Sequence, residues 1–465
     1  MKSKIRIKAM VPMYLKKLTN DYLDKNKIKV KSYIFTAYNI YLALYIIDLM
    51  KGMRIIKKHI IFAPETFNLA ETTRSIEVAK KCSEYFHCIF IGYSRKYAYL
   101  IEKANFEFIH LEPALSEDDI NQLMKVDQMK DIKHPFTYEH LKKRIENEKR
   151  IINTYCPAVV VIGTTLSMFI SARACQIPLV YIKPLAYTRT FLLKGHLELP
   201  SIINKLFLPK KFTMNLYKKV ALGITYKPKS FSKLAKEEGV ELPKYTIDAL
   251  DADYNLITTI PEISGVEDLP ANYKYIGPVY AKLDTPIPSF VDSLPTNEPV
   301  IYFAMGSSGS KEIVMKTLHV LKKLPVIVIC PMKEILGPSG NVFSSNKNII
   351  LCDLLPAHKL GNIIDLSIIH GGEGTVQTAC LSGKPFLGLG LQAEQKVNIN
   401  ECVLFGNALA LKRKDITTKK LGELIEFSLT NKEMHNRAEK MQELLENIDG
   451  PVNAANFLIN HFATT

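Results

Sequence analysis

The residues best suited to chemistry lie where an apolar run, Leu366 to Ile369, ends in His370, Gly371 and Gly372. The chain then passes through Glu373, Gly374 and Thr375 into a helical pattern. Glycines at such a turn let a ligand approach the backbone closely. The unpaired N–H groups and positive end of the helix that follows form a site for an anion, and a phosphate or diphosphate suits it. A tight strand-to-helix turn that needs glycine for steric reasons alone is the plainer reading of the same residues. The eight cysteines contain no C-x-x-C pair and form no Cys/His cluster at zinc spacing. They read as buried, reduced thiols, and no metal is expected.

The elements that must position this turn alternate between short β-rich runs and helical patterns, as in a parallel sheet with helices on both faces. The first series holds strands at 59–64, 87–92, 106–111, 158–163 and 178–184, with one charged helical stretch expected from about 116 to 154. Residues 185–250 break the rhythm as insertions on the ligand side. Strands at 254–260 and 273–277 close the series. Residues 278–299 carry five prolines and read as a linker. A second series follows, with strands at 300–306, 325–330, 348–353, 366–372 and 385–390, and helices run from about 415 to the end. The expectation is an α/β protein of two Rossmann-like doubly wound domains whose strand ends face one interdomain cleft. Its parts would be an extension (1–52), an acceptor-binding domain (53–285), a donor-binding domain (296–447) and a C-terminal helix (448–465) packing back on the first domain.

The net charge of +15 comes mostly from the N-terminus, where residues 1–58 hold fourteen Lys and Arg against three Asp. The body is therefore not a nucleic-acid binder. Residues 33–50, YIFTAYNIYLALYIIDLM, are apolar and aromatic between lysines. They suit either a helix packed on the body or peripheral contact with an anionic membrane through residues 1–52. No secretion signal is read, and a cytoplasmic location, peripheral to the membrane if the extension binds it, is expected.

The run I-I-H-G-G-E-G-T-V-Q-T-A-C-L-S-G-K-P-F-L-G-L-G-L-Q-A-E-Q-K-V-N (368–398) resembles the donor-binding signature of the family 1 glycosyltransferases, which have the two-domain GT-B fold. The H-G-G-x-G-T and G-x-P elements stand at the family spacing, and E-Q-x-x-N replaces the commoner D-Q-x-x-N. IYFAMGSSGS (301–310), YIGPV (275–279) and LLPAHKL (354–360) are similar to the family's G-S-S-G loop, interdomain linker and base-side loop. The resemblance implies that His370, Gly371, Gly372, Gly374 and Thr375, with Gly306, Ser307 and Ser308, hold the donor's diphosphate. By the same resemblance, Leu355, Pro356 and Ala357 meet the base, and Glu394 and Gln395 bond the transferred sugar.

Two departures from the family pattern stand out. The position of the usual ribose-binding Glu is Thr378, so a dTDP-sugar stays open beside the favoured UDP-sugar. The usual base, a His, is replaced by Glu71 in N-L-A-E-T-T-R-S (68–75). That residue is either the general base or a helix-terminal carboxylate. Tyr187, Phe191 and Leu192 line an acceptor pocket or belong to the core, with core the better fit. The function implied is that of an inverting, metal-independent hexosyltransferase of the EC 2.4 class, without cofactor, acting on a hydroxyl of a small molecule or lipid. The alternatives are a nucleotide-sugar-binding protein without transfer activity and a sugar-nucleotide epimerase.

Overall fold

The computed structural model describes residues 57–127, 131, 133–195, 209–283, 285–295, 297–306 and 310–463. Residues 1–52, Ser307 and Ser308 lie outside them. Seven strands form one parallel sheet: β1 (Lys58–Ala63), β2 (Phe86–Gly92), β3 (Glu107–His110), β4 (Val159–Ile162), β5 (Leu179–Lys183), β6 (Tyr254–Ile257) and β7 (Tyr273–Tyr275). Their order is β3-β2-β1-β4-β5-β6-β7. Six strands form the second: β8 (Val300–Ala304), β9 (Ile327–Cys330), β10 (Ile349–Leu351), β11 (Leu366–Ile369), β12 (Phe386–Gly388) and β13 (Ala408–Ala410), in the order β10-β9-β8-β11-β12-β13. The central strands are continuous apolar runs because helices cover both faces of a parallel sheet. All four residues of β4, β9 and β11 are buried.

The helices that bear on the site are α1 (Leu69–Cys82), α2 (Tyr138–Tyr155), α3 (Arg189–Lys194), α4 (Lys210–Gly223), α5 (Lys229–Glu237), α6 (Glu373–Leu381), α7 (Ala393–Phe405) and α8 (Gly450–Phe462). Each sheet reverses its winding direction once. β1 pairs with β4, placing Ala63 opposite Ile162, and β8 pairs with β11, placing Ala304 opposite Ile369. Ligands of open α/β sheets bind beyond the strand ends at such points.

α8 packs against α1. It adds Ala454, Ala455, Phe457, Leu458 and Phe462 to the core of Ile60, Phe62, Val78 and Ala79. Its start is capped by Asp449, whose carboxylate accepts from Val452 N (3.1 Å).

The structure differs from the sequence reading in three places. The charged stretch is two helices, Glu117–Asp127 and α2, because Pro135 interrupts the helix and Thr137 caps a new one, accepting from His140 N (3.2 Å). β13 was not expected, since its three residues, Ala-Leu-Ala, carry no β-branched signal. Not every cysteine is buried: Cys156 is exposed and Cys175 and Cys352 are half-buried, although all eight are free thiols. Among the described residues no helix is long and apolar enough to cross a membrane.

Candidate active site

In the second sheet the chain leaves β11 through His370, whose N–H donates to Ala304 O (3.3 Å) on the neighbouring β8. The imidazole is enclosed by two glycines. A Cβ on Gly306 would lie 2.5 Å from His370 Cε1, and one on Gly372 would lie 2.4 Å from Nε2, so neither loop tolerates a side chain there. Burial pushes the His370 pKa down to about 4, leaving the ring neutral at physiological pH. Its Nδ1 is buried with no hydrogen-bond partner among the described residues.

α6 starts at Glu373. Thr375 N and Val376 N already donate to Gly372 O (both 3.0 Å), while Glu373 N and Gly374 N occupy the helix mouth, where no earlier turn supplies a carbonyl. Thr378 lies on the same helix and donates through Oγ1 to Gly374 O (2.8 Å). Leu355 and Pro356 are buried, and the turn beginning at Ala357 packs beside α6.

At the other strand crossing, α1 begins behind Asn68, whose side chain accepts from Ala70 N (3.0 Å). The cap places Glu71 against the ends of β1 and β4. Glu71 Oε2 accepts from Glu65 N (3.1 Å) and Thr164 N (2.9 Å), and Oε1 accepts from Thr164 Oγ1 (2.5 Å). A carboxylate offers about four acceptor sites, so one remains on Oε1. Glu65 is itself held by Arg144 of α2, whose Nη2 donates to Glu65 Oε1 (3.0 Å) and whose guanidinium lies 3.5 Å from the centre of the Tyr93 ring.

The two crossings are tied together. Arg74, three residues after Glu71, donates through Nη2 to Glu373 Oε2 (2.6 Å), and Glu373 lies three residues after His370. Thr258, after β6, donates to Glu373 Oε1 (2.6 Å) and accepts at its carbonyl from Gln377 Nε2 (2.7 Å). Both side chains of the ion pair are 10% exposed. Beside them lies a cavity of about 40 Å³ lined from both domains, by Leu185, Ala186 and Thr258 on one side and Gln377, Asn398 and Glu401 on the other. Burial, with Glu373 and Glu394 nearby, pushes the Glu401 carboxyl up to about 8.

On α7, Glu394 is half-buried and accepts from Asn398 Nδ2 (2.5 Å). Asn398 Nδ2 also reaches Gly371 O (3.0 Å), which joins α7 to the glycine turn. Gln395 is buried and folds back on its own turn: Oε1 accepts from Leu391 N (3.0 Å) and Gln392 N (3.2 Å). Phe191 is core, packed with Leu185, Ile257 and Val266, whereas Tyr187 and Leu192 are half-buried. Among the described residues no group of three or more His, Cys, Asp or Glu side chains is arranged to hold a metal ion.

A family model described as Erythromycin biosynthesis protein CIII-like, C-terminal domain, matches residues 325–459, which include the glycine turn and α7. A PGL/p-HBAD biosynthesis glycosyltransferase of Mycobacterium tuberculosis is 25% identical over 394 residues, spanning 83% of this chain and 88% of that protein. The chain is a glycosyltransferase, similar to the EryCIII-like and PGL/p-HBAD glycosyltransferases. A PGL/p-HBAD biosynthesis rhamnosyltransferase of Mycobacterium bovis is 22% identical over 401 residues, covering 85% of this chain and 86% of that one. In fold, the glycosyltransferase VinC, solved in complex with dTDP, matches with a TM-score of 0.61 at 12% identity, over 87% of this chain and all of that one. This glycosyltransferase therefore has the GT-B architecture, and His370, Gly371, Gly372 and Gly374 stand at its second strand crossing.

Sequence reasoning gave no role to four residues of this glycosyltransferase that the structure brings to the seam: Glu373 and Asn398, which lie inside the quoted motif, and Thr258 and Glu401, which do not. One signal was available. A charged residue inside a glycine-rich turn, Glu373, demands a partner when buried, and Arg74 was already visible at the start of α1.

Proposed function

We propose that the enzyme moves a sugar from a nucleoside-diphosphate-sugar to a hydroxyl of a small-molecule or lipid acceptor, with inversion at the anomeric carbon and without a metal. In this reading residues 53–285 bind the acceptor and residues 296–447 the donor, with 448–465 returning to the first domain. The observation that carries it is the Arg74–Glu373 pair, which links the helix bearing Glu71 to the glycine turn bearing His370.

The diphosphate is assigned to His370, the N–H groups at the mouth of α6 and the Gly306–Ser308 loop. Neutral imidazole and helix-terminal N–H groups donate hydrogen bonds to the leaving phosphate as charge builds on it. Glu394 is assigned to the sugar hydroxyls, with Gln395 shaping the turn that presents it. Leu355, Pro356 and Ala357 are assigned to the base, and Thr378 to the ribose side. Glu71 Oε1 takes the proton of the acceptor hydroxyl. That oxygen attacks the anomeric carbon, and the bond from carbon to the diphosphate oxygen breaks with departure of the nucleotide.

For the donor we favour dTDP-sugars over the UDP-sugars expected from sequence. The reasons are Thr378 in place of a ribose-binding carboxylate, the dTDP bound by VinC and the rhamnosyl transfer named for the mycobacterial relative. The test incubates the full chain in EDTA with dTDP-rhamnose or UDP-glucose and a panel of phenols and fatty alcohols. Released nucleotide and product mass are the readouts. Release of dTDP with a glycosylated product supports the proposal. Binding without turnover would leave a binding protein, a changed sugar still on its nucleotide would indicate an epimerase, and loss of activity in EDTA would overturn metal independence.

A further inference from the structure

α4 presents an apolar stripe to solvent. Phe212, Leu216 and Val220, spaced four residues apart, are 58%, 48% and 59% exposed and share one face. Ile224 and Tyr226 continue the exposed apolar surface past the end of the helix, and Leu193 adds to it from α3, which packs on α4. A contiguous exposed apolar surface of this kind marks an interaction site.

The charge around it indicates what it meets. Residues 209–236 hold eight lysines and no Asp or Glu. Lys211 and Lys219 each precede a stripe residue by one position and are exposed, so a row of cations runs alongside the apolar row. An apolar ridge edged by Lys211 and Lys219, in a stretch whose one ion pair is Lys233 with Glu237 among the described residues, matches a surface that is apolar inside and anionic at its rim. We infer that α4 and the end of α3 dock on an anionic lipid bilayer, with Phe212, Leu216 and Val220 entering the acyl boundary and Lys211 and Lys219 meeting lipid phosphates.

The place in the fold suits such a surface. α3 follows β5 directly through Leu185 and Ala186, and those two residues line the cavity at the domain seam. The docking face therefore belongs to the acceptor-side half, next to the ends of the strands. Its residues, Leu193 and 211–226, are different ones from residues 1–52, the stretch from which membrane contact was expected. It is also independent of the donor assignments, because vesicle binding is measured without any nucleotide.

The experiment is sedimentation of the full chain with vesicles of phosphatidylcholine alone or mixed with phosphatidylglycerol, at low and high salt. Two variants accompany it: Phe212→Ser/Leu216→Ser/Val220→Ser and Lys211→Glu/Lys219→Glu. All five side chains are exposed, and thermal melts verify that both variants are folded. We expect wild type to pellet with the anionic vesicles and to be released by salt, at least a tenfold weaker partition for the serine variant, and loss of the preference for anionic lipid in the charge-reversed one. Wild-type partition in both variants would overturn the proposal and move attachment elsewhere in the chain. Failure of wild type to pellet would overturn it too. So would a wild-type dimer that becomes monomeric in the serine variant, since the stripe would then meet a second copy.

Discussion

Glu401 is a carboxyl group held among other carboxyls. Its pKa rises from an unfolded value near 4.5 to about 8 in the folded chain, so the native state binds its proton more tightly. The stability this contributes is complete below the unfolded pKa and is lost as pH climbs through 8. Glu401→Gln should therefore melt above wild type at pH 9, and the gap between the two should close toward pH 5. One pKa unit is worth about 1.36 kcal/mol, so the gap is of the order of a few kcal/mol. Parallel Tm-against-pH curves for the two proteins would contradict this picture.

Glu71 calls for a different readout, because three hydrogen bonds make it a structural pin as well as a candidate base. If it takes the acceptor proton, Glu71→Gln lowers kcat by about 10²–10⁴ while donor affinity stays within a few fold. A variant with a lower Tm and an ordinary kcat would leave Glu71 only the structural role.

Among the elements, the contact between α1 and α6 is the one most exposed to test. Removing one partner of a buried ion pair leaves an uncompensated charge and costs about 3–5 kcal/mol, whereas removing both is far milder. Arg74→Met should therefore destabilise strongly, and Arg74→Met/Glu373→Gln should recover at least half of the loss. Because the pair joins the two halves of the cleft, the single variants should also raise KM for the donor. Additive losses in the double-mutant cycle would mean that the two side chains act separately.

This contact also marks how far the sequence could be read. The strands were legible because HIIFAP, AVVVIG and LSIIHGG are apolar runs of strand length bounded by turn residues, and the glycine turn was legible because its residues are contiguous from 370 to 375. The partner of Glu373 lies 299 residues away and that of Arg144 lies 79 away. Neither leaves a local pattern. Glu401 leaves no local pattern either, since its character comes from burial at the seam and from the Glu373 and Glu394 carboxyls. That Gln395 spends its side-chain oxygen on its own turn was equally hidden, because it depends on where the turn folds back on itself.

For the molecule as a whole, two doubly wound sheets bring their strand crossings to one seam, and α8 closes the chain back onto the first sheet. The lysines of residues 209–236 give the half built on the first sheet a cationic, apolar face, while the proposed donor residues fall on the half built on the second. The central claim is that the turn around His370 binds a nucleoside diphosphate. Calorimetric titration of the full chain with dTDP and with UDP in EDTA, repeated on His370→Ala, tests it most directly. The account predicts saturable binding of dTDP that weakens at least tenfold in the variant while its thermal melt stays close to wild type. Absence of binding by either nucleotide, or equal affinity in wild type and His370→Ala, would contradict it.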